Sequence, residues 1–315
     1  MENLIPPVDK SILESELTEK LFIRKTNFSD NHIYILNAHN APNVMKEIGR
    51  LRELTFRIAG GGTGKAIDID EYDTMEKPYQ QLIVWDPVVK EIISGYRFIH
   101  CKDSVLDEKG IPFIATAELF HFSDHFIKDF LPHTIELGRS FVQPDYQPKH
   151  NSRKGLFSLD NLWDGLGALI FDHPDVKYFF GKVTMYPHFN LQARDIILYF
   201  LFKYFPDKDN LVTPIIPLEI ETDYKELERI FNGGNYGADY KLLMQTLRNH
   251  FNENIPPLVN AYMNLTSTMR NFGTAINPGF GNVQETGILV TIQDIYDSKK
   301  ERHLNSYRKE SSDDN

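Results

Sequence analysis

Cysteine is almost missing from this chain: a single residue, Cys101, stands among 315. One thiol can neither close an internal disulfide nor build a multi-thiolate metal site, and the apolar residues around it predict a buried, unreactive side chain. Long hydrophobic runs are missing too. The longest, Ile196 to Phe202, is stopped by Lys203, well short of the roughly 20 residues that span a bilayer. Met1 to Lys10 carries Glu2 and Pro6-Pro7 where a signal peptide needs a basic start and an apolar core. A cytoplasmic protein is expected, with a peripheral contact at the inner face of the cytoplasmic membrane left open.

Positive charge is scarce as well. Asp and Glu outnumber Lys and Arg by 44 to 34, and the resulting net charge of -10 repels a polyanion, so nucleic acid is not an expected partner. The 11 histidines show no HExxH spacing, and no Ser-His-Asp or Cys-His arrangement is visible, which argues against zinc and against covalent catalysis. His121, His125 and His188 read as ordinary partly buried or surface side chains. There is no internal repeat and no heptad array.

What is plentiful is aromatic and aliphatic bulk. With 22 Phe and 15 Tyr the chain can bury a large core, and its length suits one large domain with an extension, or two packed subdomains. Residues 1–30 are mixed and polar and read as an N-terminal extension. His32 to Leu36 is the first β-rich run. Val44, Ile48, Leu51 and Ile58 fall near helical spacing, and the run Gly60-Gly61-Gly62-Thr63-Gly64 must end that helix. Gln81 to Trp85 and Glu91 to His100 read as a hairpin turned by Asp86-Pro87. Thr134 to Val142 is a further strand.

From there helix and strand alternate: Leu159 to Phe171 helical, Val176 to Tyr186 extended, Asn190 to Phe205 helical, and a proline-punctuated strand near Ile215 to Ile220. That alternation indicates an α/β layer and closes a main domain at 31–222. Tyr224 to Phe231 and Tyr240 to Phe251 are predicted helices parted by Asn232-Gly233-Gly234-Asn235, and Ile288 to Ile292 a late strand; together, 223–297 reads as an added lobe. The tail from Ser298 to Asn315 is almost wholly polar and is expected to be frayed or disordered.

Several clusters could carry chemistry. The glycine run is not a phosphate loop, since the pattern G-x-x-x-x-G-K-S/T would need Gly at Ala59 and Ser or Thr at Ala66. Asp68, Asp70, Glu71 and Asp73 crowd one short acidic segment, but an EF-hand would need Gly at Asp73 and Glu at Tyr79. A solvated acidic turn and an amine-binding site both stay open. Arg97, and Glu136 with Arg139, lie inside β-rich apolar runs, where unpaired charge is costly. In a regular strand Glu136 and Arg139 point to opposite faces, so a shared site requires a bulge near Gly138. A plain ion pair between neighbouring strands is the alternative.

Taken in order, Leu51-Arg52-Glu53-Leu54-Thr55-Phe56-Arg57, Asp70-Glu71-Tyr72-Asp73, Gly95-Tyr96-Arg97 and Glu136-Leu137-Gly138-Arg139 resemble the bacterial ornithine-lipid and glycine-lipid N-acyltransferases, a group also labelled hemolysin-like. The likeness continues through Leu162-Trp163-Asp164-Gly165 and Phe180-Gly181-Lys182-Val183-Thr184, covering about Met45 to Thr184, and is weaker at Ile255 to Ile292. A more distant similarity is to acyl-homoserine-lactone synthases. The resemblance implies the GNAT fold: an α/β (α+β) architecture with a mixed, twisted central sheet flanked by helices, here with a C-terminal helical extension, whose central strands splay to admit a phosphopantetheine thioester.

The activity so implied is transfer of a long, 3-hydroxylated fatty acyl group from acyl carrier protein to the amino group of glycine or ornithine, giving a lyso-aminolipid. No permanently bound cofactor is implied. CoA is the less favoured donor, because Arg153-Lys154-Gly155-Leu156-Phe157-Ser158 lacks the Q/R-x-x-G-x-G/A spacing of ordinary pyrophosphate loops. Lys149, Arg153 and Lys154 make a local basic spot that suits an acidic carrier protein instead. An amine arrives protonated, so a carboxylate must hold it and a base must deprotonate it. Asp70 and Asp73 are the candidates for holding the ammonium and Glu136 for the base, through a water. Arg97 and Arg139 would orient those carboxylates or bind the acceptor's own carboxylate. Arg52 and Phe56, one turn apart, would line the donor entrance.

The oxyanion donor is expected as a backbone N–H near Phe141 or Val142. An apolar acyl tunnel could come from Tyr178 to Phe180 and Tyr199 to Phe205, for which plain core packing is the other reading. Two rival functions stay on the page: a CoA-dependent small-acyl acetyltransferase, and a non-catalytic lipid-binding or membrane-active protein.

Overall fold

The structure, a computed structural model, describes residues 1–147, 158–304 and 306–307. Its elements follow the chain as α1 (Lys10–Glu16), β1 (Phe22–Lys25), β2 (His32–Leu36), α2 (Pro42–Ile58), α3 (Glu71–Thr74), β3 (Gln80–Asp86), β4 (Glu91–His100), β5 (Phe120–Phe122) and β6 (Thr134–Val142). Then come α4 (Ser158–Asp172), β7 (Tyr178–Met185), α5 (Leu191–Tyr204), β8 (Val212–Pro214), α6 (Tyr224–Ile230), α7 (Tyr236–Phe251), α8 (Pro257–Met263), β9 (Arg270–Asn277), β10 (Val283–Thr291) and α9 (Asp297–His303). Eight strands form one sheet in the order β1-β2-β3-β4-β6-β7-β10-β9, and β5 pairs with β8 in a small second sheet. Every neighbour in the large sheet is antiparallel except β6 and β7.

Helix α2 shows how local sequence sets the frame. Pro42 opens it, where a missing N–H costs nothing. It ends as the glycine run demands: Gly60 takes φ +91°, its N–H bonds Arg57 O at 3.0 Å, and Gly61 N–H bonds Phe56 O at 2.9 Å. This is a Schellman end, which a residue with a Cβ adopts only at a cost. The loop then folds back on the helix, with the Thr63 and Gly64 amides donating to the Glu53 carboxylate at 3.0 and 2.8 Å. Those amides are therefore committed within the protein and are not a phosphate cradle.

Burial divides the molecule by sheet face. On one face α4, α5, α7 and α8 pack over Leu82, Tyr96, Leu137, Phe179, Val183 and Ile288 in a single large apolar cluster. On the other face there are two smaller clusters, one under α1 and α2 with Ile83, Phe141 and Val283, the other under α3 and the β5–β8 pair with Tyr79, Phe180 and Leu289. Among the described residues no helix is long and apolar enough to cross a membrane.

Four sequence expectations need correction. Residues 1–30 contribute β1, a strand of the main sheet. The expected strand at Ile215 to Ile220 is not one: the strand there is the short β8, and only an isolated bridge joins Pro217 to Ala275. The late strand expected at Ile288 to Ile292 in a C-terminal lobe is β10, which with the unexpected β9 completes the central sheet next to β7. The start of the polar tail is helix α9 rather than frayed chain, because its buried His303 sets Nδ1 2.7 Å from Asp164 and Arg302 pairs with Asp160. The rest of that tail, residues 305 and 308–315, lies outside the described residues.

Candidate active site

A stripe of charge crosses the sheet between the two smaller clusters. Alternation in the strands creates it. Tyr79, Gln81 and Ile83 share a face and step from one cluster, through the stripe, into the other; on β10, Leu289, Glu285 and Val283 do the same, with Gly287 between. Gln81 stands opposite Arg97, Arg97 opposite Gly138, and Lys182 opposite Gly287.

The arginines and aspartates singled out in the sequence converge here. Arg97 Nη1 lies 2.6 Å from Asp70 Oδ2 and 3.3 Å from Asp73 Oδ2, and Arg52 Nη1 reaches the same Asp73 oxygen at 3.1 Å. Gln81 Nε2 donates to Asp73 Oδ1 at 3.0 Å. The acidic segment is thus no solvated turn. Asp70 and Asp73 form a reciprocal cap on α3, each carboxylate accepting the other's backbone N–H. Burial alone would raise the Asp73 pKa, but Arg52 and Arg97 outweigh it and bring it down to about 2. The same contacts push Arg97 up against its own burial, so the guanidinium stays charged. The rings of Tyr79 and Tyr72 flank it at 5.1 and 5.5 Å.

The expected bulge is present. Register passes from Arg97–Gly138 to Gly95–Phe141, so one step of two residues on β4 faces three on β6. Arg139 sits in it with φ +48°, a strained backbone for a residue with a Cβ. The bulge aims Arg139 into the stripe: Nε lies 2.9 Å from Asp68 Oδ2, Nη2 3.6 Å from Asp70, and the guanidinium rests 4.3 Å from the centre of the Phe280 ring.

Glu136 does not pair with Arg139. It is buried, and among the described residues it has no ion-pair partner. Tyr79 donates its hydroxyl to Oε2 in a short hydrogen bond, and the Thr116 amide donates to Oε1 at 2.8 Å. Burial, then the Glu136 charge, push the Tyr79 phenol well above its ordinary pKa, so it remains a donor.

Expectations about three residues, Arg52, Phe56 and Asp73, fail on burial. Arg52 is 0% exposed and cannot line a donor entrance; it is the inner counter-ion of Asp73. Phe56 is buried too, edge-on to Phe280 at 5.1 Å, and so supports the ring beneath Arg139. Asp73, with both oxygens engaged and none of its side chain exposed, anchors arginines rather than meeting an ammonium, whereas the Asp70 side chain keeps 28% exposure. Arg153, Lys154 and Lys149 lie outside the described residues.

The sheet opens beside this stripe. Parallel pairing of β6 and β7 runs from Thr134–Tyr178 to Leu137–Gly181 and goes no further, although β6 continues to Val142 and β7 to Met185. Gly181 fits the last step because an added Cβ would stand 2.7 Å from Leu137 O. Beyond it the strands part. Gln143 N–H bonds Ile93 O on the β4 side at 2.9 Å, so by alternation the Val142 N–H faces away from β4, into the gap, and the Phe141 N–H does not. Phe141 itself is packed in the cluster under α2.

The far wall of the gap holds groups that sequence reading passed over. Lys182 Nζ lies 2.8 Å from Glu285 Oε2, and Asn277 Nδ2 donates to the same oxygen at 2.9 Å. Burial raises the Glu285 pKa, but Lys182 first and Asn277 after it hold it below the usual carboxylate range. Tyr186 nearby is pushed up to about 12 by burial and by Glu285. A signal was available for Lys182 and Glu285: each is the lone charge of its strand, the same oddity that marked Arg97 and Glu136.

Other features lie apart. Phe180 packs with Phe122, Phe126 and Phe272, and Tyr199, Phe200 and Phe205 pack with Phe231 and Tyr236, as plain core aromatics. A cavity of about 780 Å³ opens between α4, α8 and α9, lined by Asp160, Trp163, Asn264 and Arg302 among others, and no residue of the stripe lines it. His100, His173 and Asp175 bring possible metal-ligand atoms within 4.8 Å of one another at the opposite end of β4, but Lys102 Nζ already engages Asp175 at 2.7 Å.

Residues 51–154 match the Acetyltransferase (GNAT) domain family. The chain is 57% identical over 310 residues to the glycine N(alpha)-acyltransferase of Phocaeicola vulgatus, covering 98% of this chain and 95% of that one. It is also 57% identical over 307 residues to the glycine N(alpha)-acyltransferase of Bacteroides thetaiotaomicron, covering 98% and 91%. Among solved structures it is similar to the CoA-dependent acyl-homoserine lactone synthase BjaI with SAM and isopentyl-CoA, at 11% identity, 89% coverage of both chains and a TM-score of 0.37. The acyl-homoserine lactone synthase LasI is similar at 13% identity, with 49% of this chain and 73% of that chain covered and a TM-score of 0.30. Likeness at that level carries no argument about the site. With relatives 57% identical along nearly its whole length and the GNAT domain in its first half, this chain belongs to the GNAT-fold amino-acid N-acyltransferases.

Proposed function

We propose that the protein moves a long, 3-hydroxylated fatty acyl group from the phosphopantetheine thioester of acyl carrier protein to the amino group of glycine, releasing a lyso-aminolipid. The observation that carries this reading is the gap between β6 and β7, which has the outward Val142 N–H on one wall and the charged stripe across its floor. The acceptor follows the names of the two relatives. The donor follows the sequence at residues 153–158, which lacks the spacing of a CoA pyrophosphate loop.

In this mechanism the thioester carbonyl enters the gap and accepts a hydrogen bond from Val142 N–H, which strengthens as the oxygen becomes an oxyanion. The partly exposed Asp70 holds the incoming ammonium. Glu136, buried with its oxygens on the Tyr79 hydroxyl and the Thr116 amide, does not touch the ammonium and takes its proton through a water, and the free amine attacks the carbonyl carbon. The N–C bond forms, the C–S bond breaks, the nitrogen's second proton passes to the departing thiolate, which leaves as the carrier thiol, and Glu136 returns the first proton to solvent. Arg97 and Arg139 hold Asp68, Asp70 and Asp73 in place.

The test is thiol release and product mass with 3-hydroxyacyl carrier protein or acetyl-CoA as donor, and glycine or ornithine as acceptor. The carrier-protein and glycine combination is expected to dominate. Glu136→Gln should lower kcat by about 100-fold or more with the thermal midpoint preserved. Turnover of acetyl-CoA without any use of the carrier thioester rejects the donor, and an unaltered rate in Glu136→Gln rejects the base. Liposome leakage without thiol release would point to the membrane-active rival.

A further inference from the structure

The stripe contains five carboxylates, Asp68, Asp70, Asp73, Glu136 and Glu285, against four cations, Arg52, Arg97, Arg139 and Lys182. Its excess negative charge suits an ammonium, yet a free amino acid also brings a carboxylate, which needs a cation of its own. Arg52 and Arg97 are sealed, their side chains 0% and 3% exposed. Arg139 reaches the gap but is shared between Asp68 and Asp70. Lys182 is different. It follows Gly181, the last residue of β7 paired to β6, so it stands at the mouth of the gap; its side chain keeps 11% exposure, and among the described residues it meets one carboxylate. An ammonium has three N–H donors, so two remain for a ligand.

We propose that Lys182 binds the carboxylate of the amino-acid acceptor, and that Glu285, fixed by Asn277 and Thr184, is the positioning residue that aims the lysine. The acceptor then lies across the gap, ammonium toward Asp70 on one side and carboxylate toward Lys182 on the other. This rests on the reading above that a free amino acid is the acceptor. It adds that an amine lacking the carboxylate is discriminated against at this lysine, because it forgoes the charge-assisted hydrogen bonds that the two remaining N–H groups would make.

The experiment compares kcat/KM for glycine and glycinamide at saturating acyl donor. Removing Lys182 alone would leave Glu285 buried and unpaired, so the main variant is Lys182→Met combined with Glu285→Gln, with its thermal midpoint measured alongside. Wild type should prefer glycine by about tenfold or more. In the double variant that preference should collapse, through a raised KM for glycine with the glycinamide rate retained. Lys182→Arg, which keeps the charge and the pair, should preserve the preference. An equal fall for both acceptors, with their ratio kept, would mark a purely structural pair and overturn the proposal, as would a loss of preference in Lys182→Arg equal to that of the double variant. Absence of transfer to any amino acid by the wild type is a different failure, that of the functional reading itself.

Discussion

The two faces of the sheet are built on opposite terms. Under α4, α5, α7 and α8 one continuous apolar cluster excludes water, and the charges buried beside it, Asp164, Arg194 with Asp195, and Asp239, belong to the helices rather than to the strands. Under α2 and α3 the apolar cover is interrupted by buried arginines, aspartates and glutamates that are sealed by one another and by Gln81, Tyr79 and the Thr116 amide. Burying paired charge returns little stability compared with burying hydrocarbon, so the charged face exists for what it can bind and ionise, while the apolar face supplies the rigidity that holds the strands apart at the gap. Arg139, at φ +48° in the bulge, makes the same point on the scale of one residue, since a strained backbone persists only where its surroundings enforce it.

Variants can break this contrast, starting with the charged face. Arg97→Met leaves Asp70 without its shortest ion pair and Asp73 with one guanidinium fewer, and should cost about 3–5 kcal/mol of stability and abolish transfer. Urea unfolding together with thiol release reads both. On the apolar face, Ile197→Ala opens a void at a fully buried position and should cost about 2–5 kcal/mol with kcat kept. If Ile197→Ala stopped catalysis in a folded protein, the division of labour would be wrong.

Acidity sharpens the comparison next. The Asp73 carboxyl is held at about 2 in the folded chain against 3.8 for the free group, so the unfolded chain binds the proton first as pH drops. Its contribution is fully present above about pH 4 and is lost as pH falls through about 2, amounting to about 2 kcal/mol. Urea midpoints of wild type should decline across that window, and those of Asp73→Asn should decline less. The smallest effect is expected outside both faces: Lys10→Ala removes an exposed pair with Glu91 and should change the stability read from urea unfolding by no more than about 1 kcal/mol.

Much of the scaffold was legible in the sequence. The limits of β6, the end of α2 at Gly60 and the β3–β4 hairpin follow from periodicity and turn chemistry, which act over a few residues. Strand β9 was not legible, because Asn271, Gly273, Thr274 and Asn277 give it little strand character of its own and it exists by pairing with β10. In the site, the bulge at Gly138 could be anticipated from two charges that had to share a face. The exchange of partners could not: Glu136 turned to Tyr79 and Thr116, Arg139 to Asp68, and Arg52 away from any entrance.

The sequence by itself determined which residue types would be buried as charge, and the order in which strands and helices would carry them, since those follow from alternation and composition along the chain. Only the tertiary structure decided which carboxylate each cation meets, that Lys182 and Glu285 belong to the same stripe, and which backbone N–H looks into the gap. Ion pairs and hydrogen bonds act over about 3 Å, and strands distant in sequence come that close only when the sheet has closed between them and parted where β6 leaves β7.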